Sequence, residues 1–317
     1  MKDKPESLWL LEIDFSKLMD LRIDYAFKLF FGMGDTRFLI LLLNAVFANK
    51  KIPRVIKSLT VVNPYLEKYS KADKLAVLDI RAELDDGTGV LIEMHLYDID
   101  VLKYKTIRSW ARAFGEDLKE GEEYADQPPV ICVAFVNGPI EGDESRKIHK
   151  YCKITDAEDH TVFSDALELH YINMQAFVKV VNEAGGTDSF KREETLLAKW
   201  IAIIAEKDIK DKEIIRKICE DREEFKMAVS ELVRLSEDKI IRHAYQKRRE
   251  EAMLQETRKR RMEARIEEMK ARMEQESRRA EAAEARIEQE SRRADSAEAE
   301  TEKLRLMIAA LEADSKP

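Results

Sequence analysis

The stretch that decides the fold runs Leu75-Ala-Val-Leu-Asp79-Ile-Arg-Ala-Glu83-Leu, then Asp85-Asp-Gly-Thr-Gly89, then Val90-Leu-Ile-Glu93-Met-His95-Leu-Tyr97. Asp86-Gly87 is a strong turn signal between two extended runs. Side chains alternate faces along a strand. Leu78, Ile80, Ala82 and Leu84 therefore share one face, and Asp79, Arg81 and Glu83 the other. In the second run Val90, Ile92, Met94 and Leu96 are apolar, with Glu93 and His95 opposite. The two apolar faces meet a common core only if paired residue numbers have an even sum. A turn centred on Gly87 sets that sum at 174, placing Asp79 across from His95 and Arg81 across from Glu93. Asp79, Glu93 and His95 then gather on one surface, with the two carboxylates roughly 5–8 Å apart as diagonal neighbours.

Two explanations fit such a surface. One is the solvated polar face that most amphipathic hairpins carry. The other is a site for a hard metal ion. Mg²⁺ takes oxygen ligands, usually one or two carboxylates with water and a substrate phosphate. Such an ion lowers the pKa of bound water and neutralises charge on a reacting phosphodiester.

Outward from the hairpin the chain alternates helix and strand signals. Asp35-Thr36 reads as a helix N-cap before the buried run Phe38 to Phe47. Val55 to Val62 reads as a strand ending near Asn63-Pro64. Residues 101–120 fit a helix, and Val130-Ile-Cys-Val-Ala-Phe-Val136 a fully buried strand. A further strand is expected around Leu167 to Ile172, and more helices after Glu193.

Composition narrows the function classes. Residues 242–317 hold 19 basic and 18 acidic side chains, and residues 1–241 hold 36 and 45, so no strongly basic domain advertises nucleic-acid binding. Any DNA contact must use a local patch. Lys50, Lys51, Arg54 and Lys57 form one small basic cluster, Arg146, Lys147, His149 and Lys150 another, and Arg258 to Arg261 a third. Three widely spaced cysteines without a CxxC exclude a zinc ribbon and read as reduced thiols of a cytoplasmic protein. The charged N-terminus has no signal-peptide core, and the run Phe38 to Phe47 is too short to span a bilayer. A soluble protein without membrane partners is expected. There is neither a Gly-rich phosphate loop nor a Gly-x-Ser-x-Gly elbow.

A strand bearing Asp, a turn, and a strand bearing Glu-x-Lys form the signature of the PD-(D/E)XK nucleases. This chain resembles one branch of them, the recombination-promoting nuclease (Rpn) family, also described as transposases, in which Gln commonly replaces the Lys. Asp24-Tyr-Ala-Phe27-Lys28-Leu-Phe-Phe-Gly32 is similar to the opening of that branch, and Leu78-Asp79-Ile-Arg81 to its D-x-R strand. Arg108-Ser-Trp110, then Gly121-Glu-Glu-Tyr124, then Pro129-Val-Ile131 follow its later course, so that the resemblance covers roughly residues 20–175. It implies an α/β fold with a PD-(D/E)XK restriction-endonuclease-like core, a mixed sheet flanked by helices. It implies a DNA endonuclease dependent on Mg²⁺ or Mn²⁺, with Asp79 and Glu93 as metal ligands. Asp24 would add a further acidic ligand or position water; from the residues alone it reads equally as a helix N-cap. His95 stands where the branch has Gln and the wider superfamily Lys. Imidazole titrates near neutrality and can orient or deprotonate a water, bind a softer ion such as Mn²⁺, or mark a weakened site. Lys28 and Arg108 are candidates for DNA phosphate contacts or for internal ion pairs. The alternative is a catalytically inactive DNA-binding or scaffold protein assembling through its tail.

That tail reads as a long helix. From Lys239 it has no Gly and no Pro before the last residue, and Arg272 to Ala285 recurs as Arg286 to Ala299, a repeat of two heptads. The seam holds Ile266, Met269, Met273, Ile287, Leu304, Ile308 and Leu311, interrupted by Glu276 and Glu290. It fits a homo-oligomeric coiled coil, or a single helix held by Glu–Arg pairs. The expected division is a nuclease-like core at 20–175, a helical subdomain at 176–241, and the charged helix at 242–317.

Overall fold

The computed structural model describes residues 8–48, 54–62, 80–96, 101–116, 123–138, 147–183 and 195–314. The chain divides into two compact units, residues 1–252 and 253–317.

In the first unit a short helix α1 (Leu8–Glu12) precedes α2 (Asp24–Phe31) and α3 (Thr36–Phe47). The Asp35 side chain accepts a hydrogen bond from the Arg37 N–H and starts α3 as the sequence indicates. Strands β1 (Leu59–Val61), β2 (Ile80–Leu84) and β3 (Gly89–His95) follow, then α4 (Leu102–Glu116) and β4 (Val130–Val136). Next come β5 (His149–Thr155), β6 (Val162–Asn173) and helices α5 (Met174–Glu183), α6 (Leu196–Ile204), α7 (Glu213–Asp221) and α8 (Glu223–Glu237). The last helix, α9, runs Lys239–Asp314.

The six strands lie in the order β1-β2-β3-β4-β6-β5. β1, β2 and β3 are antiparallel neighbours, β3, β4 and β6 run parallel, and β5 returns antiparallel on the edge. Parallel neighbours need a crossover, and α4 supplies it between β3 and β4. Every residue of β4 is buried, as expected of a central parallel strand covered on both faces.

The two faces carry different layers. Ile80, Ala82, Val90, Ile92 and Met94 pack with α2, α3 and α5–α8 in one apolar core. Leu91, Cys132, Ala134, Leu169 and Tyr171 pack with α4 in a second, smaller one. The helices between residues 176 and 241 build no core of their own. Phe177, Trp200, Ile215 and Phe225 share the core of the sheet. Gly32, at the end of α2, approaches β2 so closely that an added Cβ would lie 3.1 Å from Ile80 Cγ1. Cys132, Cys152 and Cys219 form no disulfide. Among the described residues no single helix is long and apolar enough to cross a membrane.

The hairpin register differs from the expected one. Ile80 faces Ile92, Arg81 faces Leu91 and Glu83 faces Gly89, so pairs sum to 172 rather than 174. The cause is the turn. The Gly87 N–H donates to the Leu84 carbonyl and the Leu84 N–H to the Thr88 carbonyl, leaving a three-residue loop with Gly87 at φ +79°. This is a type I turn followed by a left-handed residue, a common three-residue hairpin connection. The Asp86 side chain accepts from the Thr88 N–H, and Arg54 donates to Thr88 Oγ1 at 2.9 Å. Arg81 is therefore not the cross-strand neighbour of Glu93. Asp79 lies outside the described residues.

In the second unit α9 is exposed along its described side chains. Ile266, Met269, Met273, Ile287 and Leu304 are all exposed, and Ile308 and Leu311 lie outside the described side chains. Glu–Arg pairs four residues apart recur at 256/260, 268/272, 274/278 and 288/292. That orientation, Glu before Arg, supports an isolated helix.

Candidate active site

Glu93 and His95 sit two residues apart on β3 and so project to the same side of the sheet. That side is covered by α4 at Glu93, while Glu83 on the same face of the hairpin is exposed, so the solvated reading holds for β2 and not for Glu93. The apolar stripe of α4 packs on β3 and β4, and Glu93 is 2% exposed. Burying a carboxylate is costly unless it is paired. His95 Nε2 lies 2.7 Å from Glu93 Oε2. Among the described residues the other oxygen, Glu93 Oε1, is buried and has no partner in good hydrogen-bonding geometry, although Ser109 of α4 stands close by. Burial pushes the Glu93 carboxyl up. The hydrogen bond and charge of His95, with Ser109 and Lys105 of α4 behind them, outweigh burial and hold the group below the ordinary carboxylate range.

The row through Glu93 continues across the sheet. Glu93 pairs with Ala134, and Ala134 with Tyr171. Burial pushes the Tyr171 hydroxyl up to about 12, so it stays protonated. Thr106 on α4 is fully buried and lowers that shift in part. Sequence reasoning missed Ser109, Lys105, Tyr171 and Thr106. The packing of α4 brings Ser109, Lys105 and Thr106 to this side of the sheet, and the pairing of β6 with β4 brings Tyr171.

The remaining candidates are more dispersed. Asp24 is the first residue of α2; the cap position is Ile23, with no side-chain cap bond, so the N-cap reading of Asp24 is replaced by first-turn placement. Asp24 is half-buried, as is Lys28 in the last turn of the same helix. Arg108 is exposed on α4, the helix that covers Glu93. Among the described residues no three carboxylate, imidazole or thiol groups converge as a metal site. Glu93 Oε1, a buried carboxylate oxygen without a donor in good geometry, is nevertheless the kind of group that a hard divalent cation takes.

The sequence model of a family described as PD-(D/E)XK nuclease family transposase matches residues 21–258. The chain belongs to this family. No curated protein and no solved structure matches it. The mixed sheet, with an Asp-Gly turn leading into a strand that carries a buried Glu, fits the PD-(D/E)XK core.

The structure of this family member also holds a polar cluster that the sequence did not announce. On β6 the Glu168 carboxylate lies 2.8 Å from His170 Nε2, and His170 Nδ1 lies 2.8 Å from His149 Nε2 on β5. Tyr151 donates to Glu168 Oε2 at 3.3 Å. His149 was grouped by sequence with a basic surface cluster; its ring instead joins a buried chain, because β5 pairs with β6. The period-two spacing His149-x-Tyr151-x-Lys153 was the available signal. This cluster lies on the α3 side of the sheet, where Phe47 meets His170, and not on the side of Glu93.

Proposed function

We propose that the chain is a divalent-metal-dependent DNA endonuclease that hydrolyses phosphodiester bonds, serving recombination or mobile elements. The observation that carries this reading is Glu93: a buried carboxylate with one oxygen on His95 and the other without a donor in good geometry, in a chain of the PD-(D/E)XK family. Asp79 and Glu93 would hold Mg²⁺ or Mn²⁺, with Asp24 as a further acidic group. Support for Asp79 comes from the sequence, where it stands one residue before β2 and two before Arg81. When bound, the ion would lower the pKa of a water and neutralise charge on the phosphodiester.

The protein's own contribution is orientation and proton transfer. A neutral imidazole that donates Nε2–H to a carboxylate carries its lone pair on the other nitrogen. In its neutral form, with Nε2–H donated to Glu93, His95 would present Nδ1 as the acceptor for the proton of the attacking water. The DNA would lie against α4, which carries Lys103, Lys105, Arg108 and Arg112 against one acid, Glu116. Arg108 is the proposed phosphate contact there, whereas Lys28 belongs to α2, in the layer on the other face of the sheet. The exposed apolar seam of α9 supports self-association, which would let two sites cut two strands. Cysteines outside any disulfide accord with a reducing, cytoplasmic setting.

One observation favours the catalytically silent alternative: His95 already occupies one oxygen of Glu93. Nicking of supercoiled plasmid with Mg²⁺ or Mn²⁺, with and without chelator, separates the two readings. Metal-dependent nicking by the wild type and its loss in Glu93→Gln support the nuclease. DNA retention without nicking under every metal condition rejects it in favour of the silent binder.

A further inference from the structure

The segment from Ser16 to Arg22 meets Lys207, Ser236 of α8 and the first turns of α9 around a cavity of about 330 Å³. Every lining residue belongs to the first unit. Five cations line it, namely Lys17, Arg22, Lys207, Arg242 and Arg249, against one carboxylate, Asp20. That balance is unusual in a chain with a net charge of −8. Another cavity, at α3 and α8, shows the ordinary arrangement, with Arg37, Lys226 and Arg234 each matched to a carboxylate.

The cations here divide into two groups. Arg22 is buried and fixed by Asp20 and Asp208, Lys207 is held by Glu206 and the Phe15 carbonyl, and Lys17 pairs with Asp14. These three are held in place. Arg242 reaches only the Ser236 carbonyl, at 3.5 Å. Among the described residues neither Arg242 nor Arg249 has a carboxylate partner. Between them Tyr245 is buried, and its oxygen accepts from the Asp20 N–H at 2.9 Å. Its own proton is left to donate into the cavity.

We propose that this cavity is a binding site for a terminal phosphate group. Guanidinium groups present a planar fork that matches phosphate oxygens two at a time. A dianion answers the two unmatched arginines, and the phenol adds a neutral donor. The concave shape suits a terminal phosphate better than the side of a duplex. Such a group is found both on a free small phosphate compound and at the 5′ end of a DNA strand. The site is distinct from Glu93 and His95. Leu18, Met19 and Tyr245 pack in the core on the α2 and α3 side of the sheet, whereas Glu93 faces α4.

The test is calorimetric titration of the full chain in chelator, so that no metal-dependent event contributes. The probes are pyrophosphate and a short oligonucleotide carrying either a 5′-phosphate or a 5′-hydroxyl. Saturable binding of pyrophosphate is expected, weakened about tenfold or more in Arg242→Gln/Arg249→Gln, as for loss of charged hydrogen bonds. Arg249→Gln alone, at an exposed position, should show part of the loss with an unchanged melting temperature. Preference for the 5′-phosphorylated strand over its hydroxyl form supports the site with a DNA end as its ligand. Binding of pyrophosphate without that preference supports it with a free phosphate compound. Glu93→Gln should bind all probes as the wild type does. The proposal is overturned if no probe binds saturably, if the arginine variants bind as tightly as the wild type, or if Glu93→Gln abolishes binding.

Discussion

Replacing Glu93 by glutamine or by alanine should separate its chemistry from its packing. Glu93 is 2% exposed, with Oε2 on His95 and Oε1 without a partner in good geometry. Glutamine keeps the volume. It loses a charge-assisted hydrogen bond, about 1.5–3 kcal/mol, and removes the desolvation cost of a buried charge, on the order of a few kcal/mol. These terms oppose each other, so the net change should stay within about 1–2 kcal/mol. For a unit of this size that shifts the melting temperature by only a few degrees, at roughly 2–4 °C per kcal/mol. Alanine removes both the hydrogen bond and the side chain beneath α4. It leaves a cavity and an unpaired His95, and should cost roughly 2–4 kcal/mol. Cleavage should respond differently. If Glu93 holds the metal as proposed, its loss forfeits several kcal/mol of charge stabilisation, on the order of a thousandfold in rate. Both variants should therefore lose nicking, while only alanine loses much stability. Thermal unfolding and plasmid nicking on the same preparations make the comparison. Metal-dependent nicking at wild-type rate by Glu93→Gln would refute the assignment. A melting loss in Glu93→Gln as large as in the alanine variant would show that the charge itself holds α4 in place.

Other expectations concern neighbouring features. His95→Gln should keep much of the nicking activity, since an amide can still orient water, and His95→Ala should lose most of it; a fully active alanine variant removes His95 from the chemistry. Because the folded Glu93 carboxyl is held below its ordinary value of 4.5, its contribution to stability is complete above that value and is lost as pH falls through the lowered one. Urea unfolding of wild type and Glu93→Gln between pH 3 and 7 should show the wild type losing ground at the acid end, and a gap that widens there in its favour contradicts the pairing. Gly87→Ala should cost roughly 1–2 kcal/mol through its φ of +79° alone, because the new Cβ would meet nothing nearer than Pro128 Cβ at 3.9 Å. Gly87→Asn should cost less, and equal costs in chemical denaturation would point to a steric cause. Truncation after Ala252 should leave the melting of the first unit unchanged and reduce self-association in sedimentation, whereas a cut after Asp238 also removes the buried Tyr245 and should destabilise it. Monomers at tens of micromolar from both the full chain and the Ala252 version would dismiss the tail as an oligomerisation element.

The hairpin shows where local information ends. Period-two alternation from Leu78 to Leu96 dictates which faces of β2 and β3 meet, because a slip that broke parity would turn the apolar side chains to the wrong layer. Sums of 172 and 174 satisfy that condition equally, so the pattern cannot choose between them. The choice fell to the turn, where Gly87 adopts a left-handed conformation and Asp86, Thr88 and Arg54 close the loop. The Asp35 cap of α3, the buried strand Val130–Val136 and the helical tail were legible for the same local reason: each is written in consecutive residues. The family was legible because its short motifs keep their order along the chain.

Burial of Glu93 was not legible, since it depends on α4 packing back across β3 and β4, and a period-two pattern looks the same whether its polar face meets water or a helix. Nor was the junction of His149 with His170, which requires an edge strand whose partner is fourteen or more residues away in sequence along most of its length. The gathering of Lys17, Arg22, Lys207, Arg242 and Arg249 around one cavity joins residues from opposite ends of the first unit. Sequence determined which side chains could share a face of an element. Tertiary structure alone decided which faces were covered, because coverage is a contact between segments whose separation along the chain carries no periodic signal.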